Sequence, residues 1–501
     1  MKSLYRLLSD HHIIIALSIY ASIAIVYAIT TNGVMRDDAY IFFQYARNWA
    51  QTGIPSFNPG EVSFGFTSFA WTALLALGSF ILPNVVILAK TYGIIFASAG
   101  AVLWAKWIFD RVGLKFDISA IALSALLPTI GAGRMVMGME NSLICFLSGL
   151  LLILFSSRLK GKQWLAGLVG GLLLLTRPDM LIFPAGLTAF LIYKKKFTQA
   201  VRFVLISAAI YIWWPLWLFL QTGSFIPGTR VGKLSVFLPE HLNITVAQFQ
   251  IGTILERISW GLIAFKSFLL AATSSKLFIA LLSTAIIVFL YTFIKKRLSN
   301  PLITAIAPAV VIILLIVYGY FFPLLKLRYF VWLTPALFFG IFCSIKSIMP
   351  PPLFRYGKYA ALVLLLVLLI PGVKRQQSST DIQQIRREVA EELVRITPIN
   401  ARIALEPIGE IGYYSNRHIV DMGGLIEESI RPYIVNGYKD TSLILKCLQD
   451  YQADYLVTYD NDKYLGRMPV AYPEIFEAVS FIPKPENSQP RYQILKINFK
   501  Q

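Results

Sequence analysis

Two adjacent carboxylates, Asp37 and Asp38, open the segment MRDDAYIFFQYARNWA. Asp37, Tyr40, Gln44 and Arg47 recur at steps of three and four, so a helix here sets them on one face. Ile41, Phe42, Tyr45 and Trp49 form a second, apolar and aromatic face suited to lying against a membrane surface. Neighbouring carboxylates repel each other, and an anion held in such a pair suits general-base work or cation binding. An acid at a helix start also caps the positive helix end, and the two roles are compatible for different members of the pair. Downstream, Asn58-Pro59-Gly60 and Gly65 are turn chemistry around an isolated acid, Glu61, which fits an ordered loop over the active face.

Other polar residues stand out because so much of the chain is apolar, and ionised groups near lipid are costly without a partner or a task. Glu140 falls between two apolar runs close to Arg134, where an ion pair and a contact to a ligand explain it equally well. Arg328, followed by Tyr329, lies at the expected outer end of a helix, where a guanidinium can grip phosphate in bidentate fashion; its neighbour Lys326 reads equally as an interfacial cation. Arg230 and Lys233 are further phosphate candidates and equally ordinary surface charges. Arg177 and Asp179 flank Pro178 at a helix start, a common structural pattern. His418 has no Ser or Cys partner in a recognisable motif and reads as structural. The three cysteines, two of them inside apolar runs, build neither a disulfide framework nor a metal knuckle. A divalent cation shared by Asp37 and Asp38 would find only a minimal set of oxygen ligands, and no clear metal triad accompanies it.

The elements that must position these residues follow from composition. The 501 residues are 56% hydrophobic, and the mean hydropathy of +0.63 exceeds that of ordinary soluble domains. His12 to Thr31, Pro301 to Tyr320 and Ala360 to Ile370 approach the roughly 20 residues a spanning helix needs. The net charge of +19 resides largely in short loops between apolar runs, so it reports topology rather than a nucleic-acid partner. Cytoplasmic placement of Lys2 and Arg6 and of five later basic clusters is satisfied by about eleven spans. This holds provided Phe66 to Leu82 and Arg257 to Ala272 do not fully cross. The expected architecture is an α-helical polytopic membrane domain over 1–373, with a first external loop over 32–82, and a soluble extracytoplasmic α/β domain over 374–501. Within that tail the pattern predicts helices over Asp381 to Ile396 and Ser442 to Tyr451, and strands at Arg402 to Leu405, His418 to Val420 and Tyr455 to Tyr459.

Asp37-Asp38-Ala39-Tyr40-Ile41, Tyr45-Ala46-Arg47-Asn48, and Phe57-Asn58-Pro59-Gly60-Glu61 leading to Gly65-Phe66-Thr67-Ser68 and Trp71 resemble the first external loop of bacterial GT-C glycosyltransferases. The resemblance is to the arabinofuranosyltransferase-like branch, related to protein O-mannosyltransferases and lipid A aminoarabinose transferases. Gly138-Met139-Glu140-Asn141, Thr176-Arg177-Pro178-Asp179, Pro227-Gly228-Thr229, Arg328-Tyr329 and Ile411-Gly412-Tyr413-Tyr414 follow in the same order. Asn141 and the Glu406-Pro407-Ile408-Gly409-Glu410 turn depart from the pattern. The resemblance implies an inverting transferase in the cytoplasmic membrane that takes a sugar from a polyprenyl phosphate, with Asp37 first and Asp38 second as base. It implies an outer-side acceptor that is a glycan, glycolipid or protein. Tyr40, Gln44, Arg47, Asn58, Glu61 and Glu140 are the donor and acceptor candidates; Arg328, Tyr329, Lys233 and Arg230 are the lipid-phosphate candidates. The competing readings are a lipid-linked sugar flippase, which predicts midplane charges and an internal repeat, and a non-catalytic glycan-binding protein, in which the Asp pair is dispensable.

Overall fold

The computed structural model describes residues 11–30, 35–111, 137–156, 163–225, 227–228, 255–263, 266, 273–295, 312–313, 377–434, 440–460, 462, 465–482 and 492–499. Arg134, Arg230, Lys233, Lys326, Arg328, Tyr329 and the apolar run over 356–373 lie outside them. The chain divides into two compact units: 1–33 with 89–212 and 249–374, and 34–88 with 213–248 and 375–501. The second unit thus joins 34–88 and 213–248 to the tail, which begins at 375. Residues of the first loop belong to the same unit as the tail.

The described part of the first unit is helical. It holds α1 (His11–Thr30), most of α4 (Val85–Arg111), α5 (Asn141–Ser156), α6 (Gln163–Thr176), α7 (Ile182–Tyr193), α8 (Phe197–Tyr211) and α10 (Thr273–Ile294). Val85–Trp107 and Phe197–Thr222 are long and apolar enough to cross a membrane. Close approach of α6 and α8 depends on Gly167, Gly170 and Gly171: a Cβ at Gly171 would lie 2.5 Å from that of Ile210. Small residues at such crossings let backbones approach where lipid offers no hydrophobic drive.

In the second unit, α2 (Asp37–Thr52) ends on Gly53 in the left-handed conformation, and α3 (Phe69–Ser79) is capped by the Ser68 hydroxyl. Eleven residues make α3 about 16 Å long, too short to cross a bilayer. α9 (Trp213–Thr222) packs Trp214 and Trp217 against Phe64. The tail runs α11 (Gln377–Ile396), β1 (Arg402–Leu405), α12 (Gly409–Ser415), β2 (His418–Asp421), α13 (Thr441–Asp450), β3 (Tyr455–Tyr459), α14 (Met468–Ala471), β4 (Phe476–Ile482) and β5 (Tyr492–Ile497). They build one five-stranded sheet in the order β2-β1-β3-β5-β4, with β2, β1 and β3 parallel and β5 and β4 antiparallel. The three strands expected from sequence are the parallel ones, which are buried and rich in branched apolar residues. β4 and β5 were not foreseen. β4, FEAVSFI, lies at the sheet edge with its middle residues exposed, so it carries neither a clean alternation nor a buried apolar run.

α2 departs from its expected place at a membrane surface. Every residue from Ala39 to Ala46, and Asn48, is buried within the protein. Tyr45 packs on Phe57 and Phe66, Trp49 on Phe69, and Tyr40 and Phe43 on Tyr413. The aromatic face that suited lipid is satisfied by the first loop and the tail instead.

Candidate active site at the start of α2

The polar face predicted on α2 exists, and it is turned onto α11 and α12. Asp37 Oδ2 accepts from the Gly409 amide at 3.2 Å, and its Oδ1 accepts from the Glu410 amide at 2.9 Å. Arg386 Nη1 lies 3.4 Å from Oδ1. Here a charged side chain of α2 is met by two orphan amides at the start of α12 and by a cation of α11. The approach is so close that only glycine fits at 409: a Cβ would stand 2.7 Å from both the carbonyl carbon and Oδ2 of Asp37. Asp38, one step along the helix, is half-buried.

Around this clamp the environment is apolar, and its charges are mutually adjusted. Burial, then the facing Asp37, push the Glu410 carboxyl up to about 8, against the pull of Arg386, Gln383 and Arg387. Glu410 Oε1 is buried without a hydrogen-bond partner. Burial opposes the Arg386 cation, but Asp37 and Tyr492 override it and hold the guanidinium charged beyond its ordinary range. Tyr40 takes a 2.5 Å hydrogen bond from Gln383, whose carbonyl accepts from the Met35 amide at 3.2 Å. Burial, with Glu410 next, holds the Tyr40 phenol well above its usual range, so it remains neutral.

The remaining candidates divide by what they touch. Arg47 stacks 4.5 Å over the Tyr413 ring, bonds Gln44 and reaches Asn416. Gln44 and Asn48 donate to the Phe57 carbonyl, and Tyr45 bonds Ser63 and the Gly65 amide, so these side chains hold the shape of the loop. Asn58 pairs with the backbone of Ile419 in both directions, donating at 3.0 Å and accepting at 2.9 Å. In doing so it acts as an extra strand residue beside β2, the edge strand of the sheet. Glu61 accepts from Asn58 and lies 3.6 Å from His418 Nε2. Asn58 and Glu61 also line a cavity of about 290 Å³ with Gly228, Glu427 and Ser429. Gly228 of the Pro227-Gly228-Thr229 motif is fixed by backbone bonds to Phe64 and to the Arg431 guanidinium.

In the other unit, Glu140 is fully buried and pairs with Arg177 at 2.9 Å. The same guanidinium holds Asp179 at 2.9 Å, so the two short motifs at 138–141 and 176–179 meet in one ion network. Sequence reasoning had treated them separately. Arg386, Arg387, Gly409 and Glu410 were missed altogether as site residues. The only signal in the sequence was the Glu406 to Glu410 turn that departs from the family pattern. Among the described residues, no three His, Cys, Asp or Glu side chains converge as a metal site.

A domain of unknown function, DUF8728, matches residues 374–495. No curated protein matches the chain. Over 95% of the chain and 97% of its counterpart, the structure is similar to ArnT from Cupriavidus metallidurans bound to undecaprenyl phosphate, at 13% identity and a TM-score of 0.52. The chain shares the fold of that structure. ArnT from Cupriavidus metallidurans in the apo state matches over 95% of this chain and 96% of that one, at 12% identity and a TM-score of 0.44. The N-terminus of α2 is where the first-loop motif and the tail clamp coincide.

Proposed function

We propose that the chain is a multi-pass membrane glycosyltransferase that moves a sugar from a polyprenyl-phosphate donor to a glycan, glycolipid or protein acceptor on the outer face of the cytoplasmic membrane. The tail is extracytoplasmic in this reading, and transfer proceeds by single displacement with inversion. One observation carries it: the carboxylate pair opens a buried helix whose first acid is locked by the tail. Both oxygens of Asp37 are engaged by Gly409, Glu410 and Arg386, which hold its carboxylate in one orientation. The pair supplies the general base, Asp37 first and Asp38 second, removing the proton from an acceptor hydroxyl as that oxygen attacks the anomeric carbon and polyprenyl phosphate departs. Phosphate is already a good leaving group, so a positioned base and cationic stabilisers suffice. Arg328, with Tyr329, and Arg230 and Lys233 are assigned to the lipid phosphate from the sequence. Bound undecaprenyl phosphate in the similar ArnT structure supports a lipid of that class as partner.

The test is transfer of radiolabelled sugar from a panel of polyprenyl-phosphate donors by the purified chain, compared with Asp37→Asn and Asp38→Asn. Loss of about 10²-fold to 10⁴-fold in turnover is expected in the variant that lacks the base, the usual range for a lost general base. Asp37→Asn is expected to lower the melting temperature as well as the rate. Full activity in both variants overturns the base assignment. No transfer by the parent, with movement of intact lipid across liposomes instead, identifies a flippase.

A further inference from the structure

The carboxyl ends of the parallel strands in the tail carry a second set of groups that the clamp does not use. β1 and β3 are neighbours, but the chain leaves β1 towards β2 on one side and leaves β3 towards the antiparallel strands on the other. Open α/β sheets bind ligands in the crevice at such a reversal, outside the carboxyl ends of the strands. Beside this reversal, at the carboxyl end of β3 on its β5 side, lies a cavity of about 550 Å³, a size that accepts one or two sugar rings. Tyr459 and Asp460 at the end of β3, Gln493 at the facing start of β5, Thr441 at the start of α13, and Arg467 and Val470 from the segment after β3 line it. An aromatic ring and an aliphatic side chain suit the C–H face of a pyranose or furanose. The carboxylate, guanidinium, amide and hydroxyl suit its hydroxyl groups.

A short chain of contacts ties this cavity to the candidate active site. The Tyr459 and Tyr492 rings are 5.6 Å apart, the Tyr492 hydroxyl meets Arg386 Nε at 3.3 Å, and Arg386 pairs with Asp37 at 3.4 Å. We propose that this cavity is a saccharide subsite of the tail that binds a neutral sugar ring of the acceptor at a distance from the reacting hydroxyl. The proposal rests on the transferase reading only for the word acceptor. The saccharide site itself stands on the cavity, its chemistry and its place in the sheet.

The experiment uses the full chain in detergent, with methyl glycosides of pentoses and hexoses as probes, read by saturation-transfer NMR, and pairs it with acceptor and donor KM in the transfer assay. Val470→Trp fills the cavity from a side chain that is 82% exposed, so folding is not at stake; Arg467→Ala removes the cation. The expected result is glycoside binding by the parent that both variants lose, with acceptor KM raised about tenfold or more and donor KM unmoved, the scale of a few lost pocket contacts. Binding by the parent that the variants abolish supports the saccharide site even where the parent transfers nothing, an outcome that fails the transferase reading alone. Absence of glycoside binding by the parent, or binding and acceptor KM unchanged in Val470→Trp, overturns the proposal.

Discussion

Gly409 is the residue on which the most depends for its size. Its backbone amide bonds Asp37, and the space where a side chain would begin is filled by Asp37 itself. Gly409→Ala therefore forces α12 away from the start of α2. Overpacking at such a contact costs about 1–3 kcal/mol, and a lower midpoint in chemical unfolding of the purified chain is the expected outcome, together with slower transfer. Gly171 is held to the same standard in the helical unit: a Cβ there would stand 2.5 Å from the Cβ of Ile210, which its backbone fixes, and 2.9 Å from the Ser207 carbonyl oxygen.

Between elements, the first loop and the tail are joined by side chains that imitate backbone. Asn58 completes the edge of β2 by pairing with both polar groups of Ile419, and the loop carrying Asn58 is itself held by Gln44 and Asn48 of α2. Asn58→Ala strands a buried amide and carbonyl at that edge. A loss of about 1–3 kcal/mol follows from leaving such groups unpaired, measurable as a lower unfolding midpoint, while substitution at the exposed Val62 in the same loop changes little. Arg417 does comparable work at the other end of α11, donating to the carbonyls of Val394, Thr397 and Ser415 that the helix and the turn leave open.

Across the second unit, buried acids set how stability depends on pH. Burial pushes Glu410 up to about 8 and Glu406 up to about 7, with Asp37 and Asp421 among the carboxylates that add to these shifts. Burial also raises Asp421 to about 6, against the amides of Gly423, Leu425 and Ile426 that bond it. In the unfolded chain the same groups ionise near their ordinary values, so from about pH 4.5 to 8 the folded state holds more protons. Stability therefore falls as pH rises through that window and levels off above it. Thermal melts from pH 5 to 9 are expected to show this decline, and Glu410→Gln, which stays neutral, should flatten its upper part. A melting temperature that rises steadily over the same range contradicts the assignment of Glu410 as a protonated group at neutral pH.

By itself the sequence determined the helix that the carboxylate pair opens and the three parallel strands of the tail. Three-and-four spacing placed Asp37, Tyr40, Gln44 and Arg47 on one helix face, and β-branched runs marked the three parallel strands, because both signals are local and periodic. Only the tertiary structure decided what that face meets. Arg386, Gly409 and Glu410 lie some 350 residues or more from Asp37 along the chain, and no local pattern records which amides and which cation close on a distant carboxylate. The same holds for Arg177, which joins Glu140 to Asp179 across 37 residues, and for α2, whose aromatic face fits lipid and protein equally well until its neighbours are known.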